Sequence, residues 1–389
     1  MSDFLMNTYA RLPIAFTHGE GPWLFDEAGK RYLDGICGLG VTGLGHAHPE
    51  VTSTIVEQAG KLLHSSNMVH IRWQEKLAEK LCRVSGLDKA FICSSGTEAV
   101  ECALKITRLA GHERGIDKPG VIVMENSFHG RTLAALSATG SRKAQAGFEP
   151  LVSGFVRVPF NDIAAIEKVA ALDKTITAVL VESVQGEAGI RVPDTGYLRN
   201  LREICDRHGW LLILDEIQSG VCRTGQWFAY QHEGILPDIL TSAKALANGV
   251  PIGACVARGR AATLLTPGRH GTTFGGNPLS CHTACTVLDI MERDKLHERA
   301  GELGARMLAG FKDRLAGCHA VADIRGKGLM LGIELKQDAT PIRDAALQAG
   351  VFVNVTKETT IRMLPPLILT DEQADTIVNT IAELILLKA

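Results

Sequence analysis

Two residues define the chemistry to look for. Lys244 lies in Thr241-Ser242-Ala243-Lys244-Ala245-Leu246, and Asp215 in Leu211-Leu212-Ile213-Leu214-Asp215-Glu216. Both follow apolar runs. An acid at the end of a buried strand is expensive unless a partner meets it. A pyridinium nitrogen is such a partner: the carboxylate keeps it protonated, so the ring accepts electrons from a substrate carbanion. A Walker-B acid would look similar, but no phosphate loop ending in Lys-Ser/Thr accompanies it. A lysine in a desolvated cleft has a lowered pKa and forms a Schiff base with carbonyl groups. Alone, Lys244 reads as one solvated lysine among many; its place one strand after Asp215 changes that reading.

Three further segments fall at the ends of apolar runs. Ser94-Ser95-Gly96-Thr97-Glu98 opens a helix. Amides at a helix N-terminus, with the positive end of the dipole, can cradle a phosphate through Ser95, Gly96 and Thr97. The same residues also suit a plain N-cap. Phe128-His129-Gly130-Arg131-Thr132 offers an aromatic ring to cover a flat cofactor and an arginine to hold a carboxylate through paired N–H···O bonds. By itself it is equally a loop with a core phenylalanine and a surface arginine. The segment 182–189 carries Glu182, Gln185, Gly186 and Glu187, which are cleft candidates or ordinary solvated loop residues. No single piece is specific. The ordered set, each at a strand end, describes one chemistry: phosphate held, ring covered, ring nitrogen paired, aldehyde captured.

Those pieces need a scaffold. Apolar runs at 90–93, 121–124, 155–158, 178–181, 210–214, 239–240 and 254–257 alternate with helical patterns such as 98–109 and 197–208. That order predicts an α/β fold with a mostly parallel sheet covered on both faces, and ligands beyond the carboxyl ends of the strands. A hairpin is expected at 23–33, helices at 49–62 and 73–84, and a long helix at 279–315. Thr370 and Gln373 form a capping box for a final amphipathic helix. The 389 residues exceed one compact core, so two domains are expected.

Composition narrows the class. Net charge is −2, with no basic tract, which argues against nucleic acid binding. No apolar run reaches the ~18 residues of a membrane span, and residues 1–10 lack a signal-peptide core; a cytoplasmic protein is expected. The ten cysteines are scattered without a CxxC pair and read as reduced, buried thiols. His46 and His48 form an HxH pair with too few companions for a metal site. No GxGxxG turn follows the first buried strand, which counts against a nicotinamide oxidoreductase.

With these motifs assembled, the chain resembles the class III, or ω-type, pyridoxal-phosphate aminotransferases over essentially its whole length, in particular the bacterial acetylornithine subgroup. The likeness is carried by Leu44-Gly45-His46-Ala47-His48-Pro49, Ser95-Gly96-Thr97-Glu98-Ala99, Phe128-His129-Gly130-Arg131-Thr132, Gln185-Gly186-Glu187, Leu214-Asp215-Glu216-Ile217-Gln218, Ala243-Lys244-Ala245-Leu246 and Thr272-Thr273-Phe274-Gly275-Gly276-Asn277-Pro278. It implies fold type I, with a seven-stranded large domain at 51–278 and a smaller α/β domain built from 1–50 and 279–389. It implies pyridoxal 5'-phosphate as cofactor, with Lys244 as its covalent anchor and as base and acid. Asp215 would hold the ring nitrogen, Ser95, Gly96 and Thr97 the phosphate, Phe128 and Ile217 the ring faces, and Gln218 the ring hydroxyl. Thr273 would reach the cofactor of the neighbouring subunit, implying a homodimer with shared sites. Arg131, Thr272 and Tyr9 would contact substrate. Arg362 would accept the α-carboxylate of glutamate and pair with Glu187 when the other substrate binds. The implied reaction is transamination of N2-acetyl-L-ornithine with 2-oxoglutarate. Succinylornithine, succinyl-diaminopimelate, ornithine and 4-aminobutyrate are alternative donors, and a same-fold aminomutase or decarboxylase is an alternative reaction. Cys37, Ser94, Val100 and Ser183 depart from the usual pattern.

Overall fold

A computed structural model describes residues 4–388. All seven apolar runs form one sheet. Its strands are β4 (Lys89–Cys93), β5 (Gly120–Met124), β6 (Phe155–Val158), β7 (Ile176–Glu182), β8 (Leu211–Asp215), β9 (Ile239–Ser242) and β10 (Gly253–Ala257). They are preceded by β1 (Phe16–Glu20), β2 (Trp23–Asp26) and β3 (Arg31–Asp34). The sheet order is β4-β10-β9-β8-β7-β5-β6. Neighbours from β9 to β6 are parallel, and β10 runs antiparallel to both β9 and β4. Six of the seven strands therefore share one direction, and their carboxyl ends share one edge.

Alternating side chains explain why the strands read as unbroken apolar runs. Ile122 and Met124, Val179 and Val181, and Leu212 and Leu214 enter one core. Val121 and Val123, Ala178 and Leu180, and Ile213 enter another on the opposite face. The helix Gly96–Glu113 supplies Ala99, Val100, Ala103 and Ile106 to the second core, and the helix Tyr197–His208 supplies Leu198, Leu201 and Ile204 to the first. Both faces are covered, as a parallel sheet requires.

Two four-stranded sheets flank this body. One has the order β1-β2-β3-β13, where β13 is Val351–Phe352. Strands β2 and β3 are the expected hairpin. The other comprises β11 (Val321–Lys327), β12 (Met330–Leu335), β14 (Asn354–Thr356) and β15 (Thr360–Met363), in the order β11-β12-β15-β14. The pairing of β13 with β3 joins the two ends of the chain.

The long helix expected at 279–315 is two helices, Pro278–Arg293 and Leu296–Arg314. The chain breaks at Lys295, whose φ is +50°, a left-handed conformation that ends the first helix. The final helix, Asp371–Lys388, starts at the expected box: Gln373 N–H donates to Thr370 Oγ1 (3.2 Å) and Thr370 N–H to Gln373 Oε1 (2.9 Å). All ten cysteines are free thiols, eight of them buried. His46 Nε2 donates to Asp34 Oδ2 at 2.9 Å, and His48 precedes the helix Pro49–Ala59 as its N-cap residue.

Candidate active site

A cavity of about 390 Å³ opens at the carboxyl edge of the large sheet. At one end is the start of the helix Gly96–Glu113. Ser95 caps it: Ser95 Oγ accepts from Glu98 N–H (3.3 Å), and the Glu98 carboxylate accepts from Ser94 N–H (2.8 Å) and Ser95 O–H (3.0 Å). This reciprocal cap fixes the turn. The amides of Gly96 and Thr97 precede the first intrahelical bond, so a phosphate placed there meets donors the helix leaves unused. Gly96 is required by space, because a Cβ there would lie 2.8 Å from the Ile217 side chain. Ser95, Gly96, Thr97 and Ile217 all line the cavity. Thr97 Oγ1 shares a 2.9 Å hydrogen bond with Thr132.

Asp215 and Glu182 end β8 and β7 and are register partners, so two buried carboxylates stand side by side. Their partners differ. Asp215 Oδ2 lies 2.7 Å from His129 Nδ1, and its Oδ1 accepts from Ile217 N–H at 3.1 Å. Glu182 accepts from Phe128 N–H (2.9 Å) and Gly186 N–H (3.1 Å). Burial pushes the Glu182 carboxyl up to about 7; Asp215 adds to that push, while His129 and the two amides oppose it.

Lys244 lies two residues beyond β9 with φ +47°, a strained conformation for a side-chain-bearing residue. Burial lowers its ammonium pKa; the Glu187 carboxylate opposes this, Arg362 reinforces it, and Asp215 and Glu182 again oppose it. The net shift downward increases the neutral amine available at a given pH, which suits a nucleophile and general base.

The far side of the cavity is a charge pair. Arg362, on β15, is 2% exposed; its Nε donates to Asn354 Oδ1 at 3.0 Å and its Nη1 to Glu187 Oε1. Burial raises the Glu187 carboxyl, but the charge and hydrogen bond of Arg362, with Lys244 and Gln218, outweigh it and hold the group below its ordinary value. Thr356 Oγ1 donates to the Glu187 carbonyl at 2.6 Å, tying this loop to the smaller sheet. Arg131 is exposed at the cavity rim, its guanidinium carbon 5.4 Å from the Phe128 ring centroid.

The residues present fit pyridoxal phosphate. Gln218 Oε1 is buried and has no partner among the described residues, an acceptor suited to a ring hydroxyl. The helix start suits the phosphate, the Asp215 carboxylate suits a protonated ring nitrogen, and the cavity volume lies within the range of about 300–1,000 Å³ common for small-molecule sites.

One chain thus brings together Ser95, Gly96, Thr97, Phe128, Arg131, Glu187, Asp215, Ile217, Gln218 and Lys244, with Arg362 behind Glu187. It does not bring Tyr9, Thr272 or Thr273. Tyr9 is 69% exposed and packs its ring against Arg11, Thr272 lines a separate cleft beside Asn67 and Gln74, and Thr273 is exposed. Sequence reasoning passed over His129 as the partner of Asp215, Glu182 as a specific acceptor, and the apolar wall of Val41, Val250, Pro251 and Ile252. A signal existed for Glu182, which terminates its strand as Asp215 does. Ser183, a departure from the family pattern, donates to Glu216 Oε1 at 2.6 Å.

The family model for "Aminotransferase class-III" matches residues 5–385. Acetylornithine aminotransferase of Nitrosomonas europaea is 52% identical over 381 residues, covering 98% of this chain and 97% of that protein. The protein of the same name from Aquifex aeolicus is 44% identical, covering 98% and 100%. Among solved structures, ornithine aminotransferase from Toxoplasma gondii superposes with a TM-score of 0.96 at 33% identity, covering 99% of this chain and 93% of that one. Acetylornithine aminotransferase from Elizabethkingia anophelis gives a TM-score of 0.88 at 35% identity, covering 98% and 96%. The chain belongs to the class III aminotransferases.

Proposed function

We propose that this enzyme uses pyridoxal 5'-phosphate to transfer the δ-amino group of N2-acetyl-L-ornithine to 2-oxoglutarate, yielding N-acetyl-L-glutamate 5-semialdehyde and L-glutamate, a step of arginine biosynthesis. The observation that carries the reading is the buried Arg362 neutralised by Glu187 beside Lys244 and Asp215. A site that accepts two unlike substrates needs a carboxylate receptor that can be closed. With Glu187 on Arg362, an ω-amine enters with its α-carboxylate held elsewhere, at Arg131. With Glu187 displaced, the α-carboxylate of glutamate or 2-oxoglutarate takes its place through paired N–H···O bonds.

Pyridoxal phosphate supplies, when bound, an aldehyde that captures amines and a cationic ring that draws electrons from the adjacent carbon. The chain supplies the rest. Lys244 Nζ would take the proton from the amine-bearing carbon and deliver it to the carbon that had been the cofactor's aldehyde, so that hydrolysis leaves the amino group on the cofactor. Asp215 holds the proton of the ring nitrogen, and His129 Nδ1 holds Asp215. Phe128 and Ile217 confine the ring, and Gln218 orients its hydroxyl.

The relatives at 44% and 52% identity bear the acetylornithine name, which supports that donor over ornithine. Exposed Thr273 and Phe274, in a segment that Asn67 holds through the carbonyls of Thr272 (3.1 Å) and Gly275 (2.9 Å), support a homodimer in which Thr273 serves the partner's cofactor. The same reading divides the chain into a cofactor-binding body at 51–278 flanked by a smaller unit from 1–50 and 279–389, and places the enzyme in the cytoplasm. Side-by-side rates with acetylornithine, ornithine and 4-aminobutyrate test the donor. A cofactor absorbance band at the visible edge, collapsing on addition of acetylornithine, is expected. A colourless protein that ignores added pyridoxal phosphate, or undiminished turnover in Lys244→Ala, overturns the reading. Light scattering of the purified enzyme tests the dimer.

A further inference from the structure

We propose that Glu182 is a positioning residue that sets the Glu187 gate, by anchoring the pivot on which the gate turns to the loop that covers the cofactor ring. The proposal rests on the two-substrate reading above. Glu182 Oε1 accepts from Phe128 N–H (2.9 Å) and Oε2 from Gly186 N–H (3.1 Å). Gly186 immediately precedes Glu187, so any swing of Glu187 away from Arg362 turns about a peptide held by Glu182. The pivot is also closely packed, since a Cβ on Gly186 would lie 2.1 Å from Gln218 Oε1. On the other side of Glu187, Thr356 Oγ1 holds its carbonyl (2.6 Å). The gate side chain is therefore free to move between two fixed peptides, one of which depends on a buried carboxylate.

That carboxylate must be ionised to accept both amides at full strength. The charged and titratable groups facing it are His129 from the loop after β5, Asp215 at the end of β8, and Lys244 beyond β9. Burial places its titration near 7, so the anchor weakens as pH falls through neutrality.

Glu182→Gln tests the idea in the holoenzyme. The amide retains one acceptor oxygen and turns an NH2 toward the other N–H, so one charge-assisted hydrogen bond is lost. A loosened gate leaves Arg362 open to the α-carboxylate of an ω-amine in an unproductive pose, whereas a dicarboxylate needs the gate displaced anyway. The two half-reactions are followed separately, acetylornithine with the aldehyde form of the cofactor and 2-oxoglutarate with the amine form. The ratio of their saturating rates is expected to shift about tenfold against the ω-amine, since unproductive binding lowers the saturating rate and KM together, and loss of such a bond implies that factor. In the wild type the same ratio should decline as pH falls through about 7, and in Glu182→Gln it should be flat. Equal losses in both half-reactions, or a pH dependence identical in the two proteins, overturn the proposal. If the variant does not fold, the wild-type pH dependence of the ratio decides alone, and a pH-independent ratio overturns it. If the two-substrate reading itself fails, Glu187→Ala leaves the ratio unchanged as well, which separates the two failures.

Discussion

Glu187→Ala removes the carboxylate that neutralises Arg362. The guanidinium is 2% exposed and, among the described residues, keeps Asn354 Oδ1 at 3.0 Å as its side-chain hydrogen-bond partner. At an effective dielectric of about 20, opposite charges at ~4 Å attract by about 4 kcal/mol. The net value of a charge-assisted hydrogen bond is smaller, about 1.5–3 kcal/mol. Because the Glu187 side chain is 39% exposed, solvent screening favours the lower end, about 1.5 kcal/mol. Tenfold corresponds to about 1.4 kcal/mol, so an incoming carboxylate no longer displaced by Glu187 should bind Arg362 about tenfold more tightly. The KM for 2-oxoglutarate should fall by about that factor, and the saturating rate with acetylornithine should fall by a similar factor, at unchanged kcat/KM, because its α-carboxylate occupies Arg362 in an unproductive pose. Rapid-mixing absorbance of the cofactor in each half-reaction measures both. An unchanged KM for 2-oxoglutarate with unimpaired use of acetylornithine would refute the gate.

Three other perturbations probe the site and its support. Asp215→Asn keeps an oxygen to accept from His129 Nδ1 but cannot stabilise a cationic ring, so kcat should fall by about 10²–10³-fold with cofactor still bound, measured by turnover and absorbance together. Glu216 is fully buried and accepts from the hydroxyls of Ser183 and Ser219 (both 2.6 Å) and the amides of Ala229 (3.0 Å) and Tyr230 (3.1 Å). Glu216→Ala strands two buried amides at about 1–3 kcal/mol each, so urea unfolding should show a loss of about 4 kcal/mol. Glu182 titrates near 7 when folded against an ordinary 4.5, so folding takes up a proton between those values and the folded state loses about 3 kcal/mol from this carboxyl as pH rises across that window. The stability of the wild type relative to Glu182→Gln, measured from pH 4.5 to 7 in cofactor-free protein, should decline accordingly; a flat difference contradicts the assignment.

The parts of the fold that were legible were those written as local pattern. Strand β7 is buried at every position from Ile176 to Glu182, and its stretch 178–181 reads as an unbroken apolar run. The reversed direction of β10 did not show in its own residues, since Gly253–Ala257 would look the same either way. It was recoverable from spacing: only ten residues separate Ser242 from Gly253, too few for the dozen or more that a parallel crossover needs. The break between Arg293 and Leu296 carried no glycine or proline, so an uninterrupted helix was the natural reading, and only the left-handed Lys295 reveals it. Site residues at strand ends were legible for the same reason as the strands. His129 was not, because its partner Asp215 lies 86 positions away and nothing local distinguishes that imidazole from a loop histidine. The resemblance assigned Tyr9, Thr272 and Thr273 to the site, yet they lie outside the cavity of a single chain.

Register explains how two like residues come to do different work. Glu182 and Asp215 end adjacent parallel strands and are paired, so the sheet delivers two carboxylates to the same depth of the same cavity. The charge of Asp215 raises the proton affinity of Glu182. The conflict is resolved by what each one meets. Asp215 faces an imidazole nitrogen and lines the cavity, where the proposed reading sets its charge against the cofactor's ring nitrogen. Glu182 faces two peptide amides, one on the ring-covering loop and one on the gate loop, so its charge holds backbone. A longer side chain at position 182 reaches sideways to both loops, and a shorter one at 215 stays against His129 in the cavity wall. Glu182→Asp should consequently strand at least one amide, and Asp215→Glu should crowd the ring site, although each exchange conserves charge. The identity of each acid is therefore set by reach, and neither is interchangeable with the other.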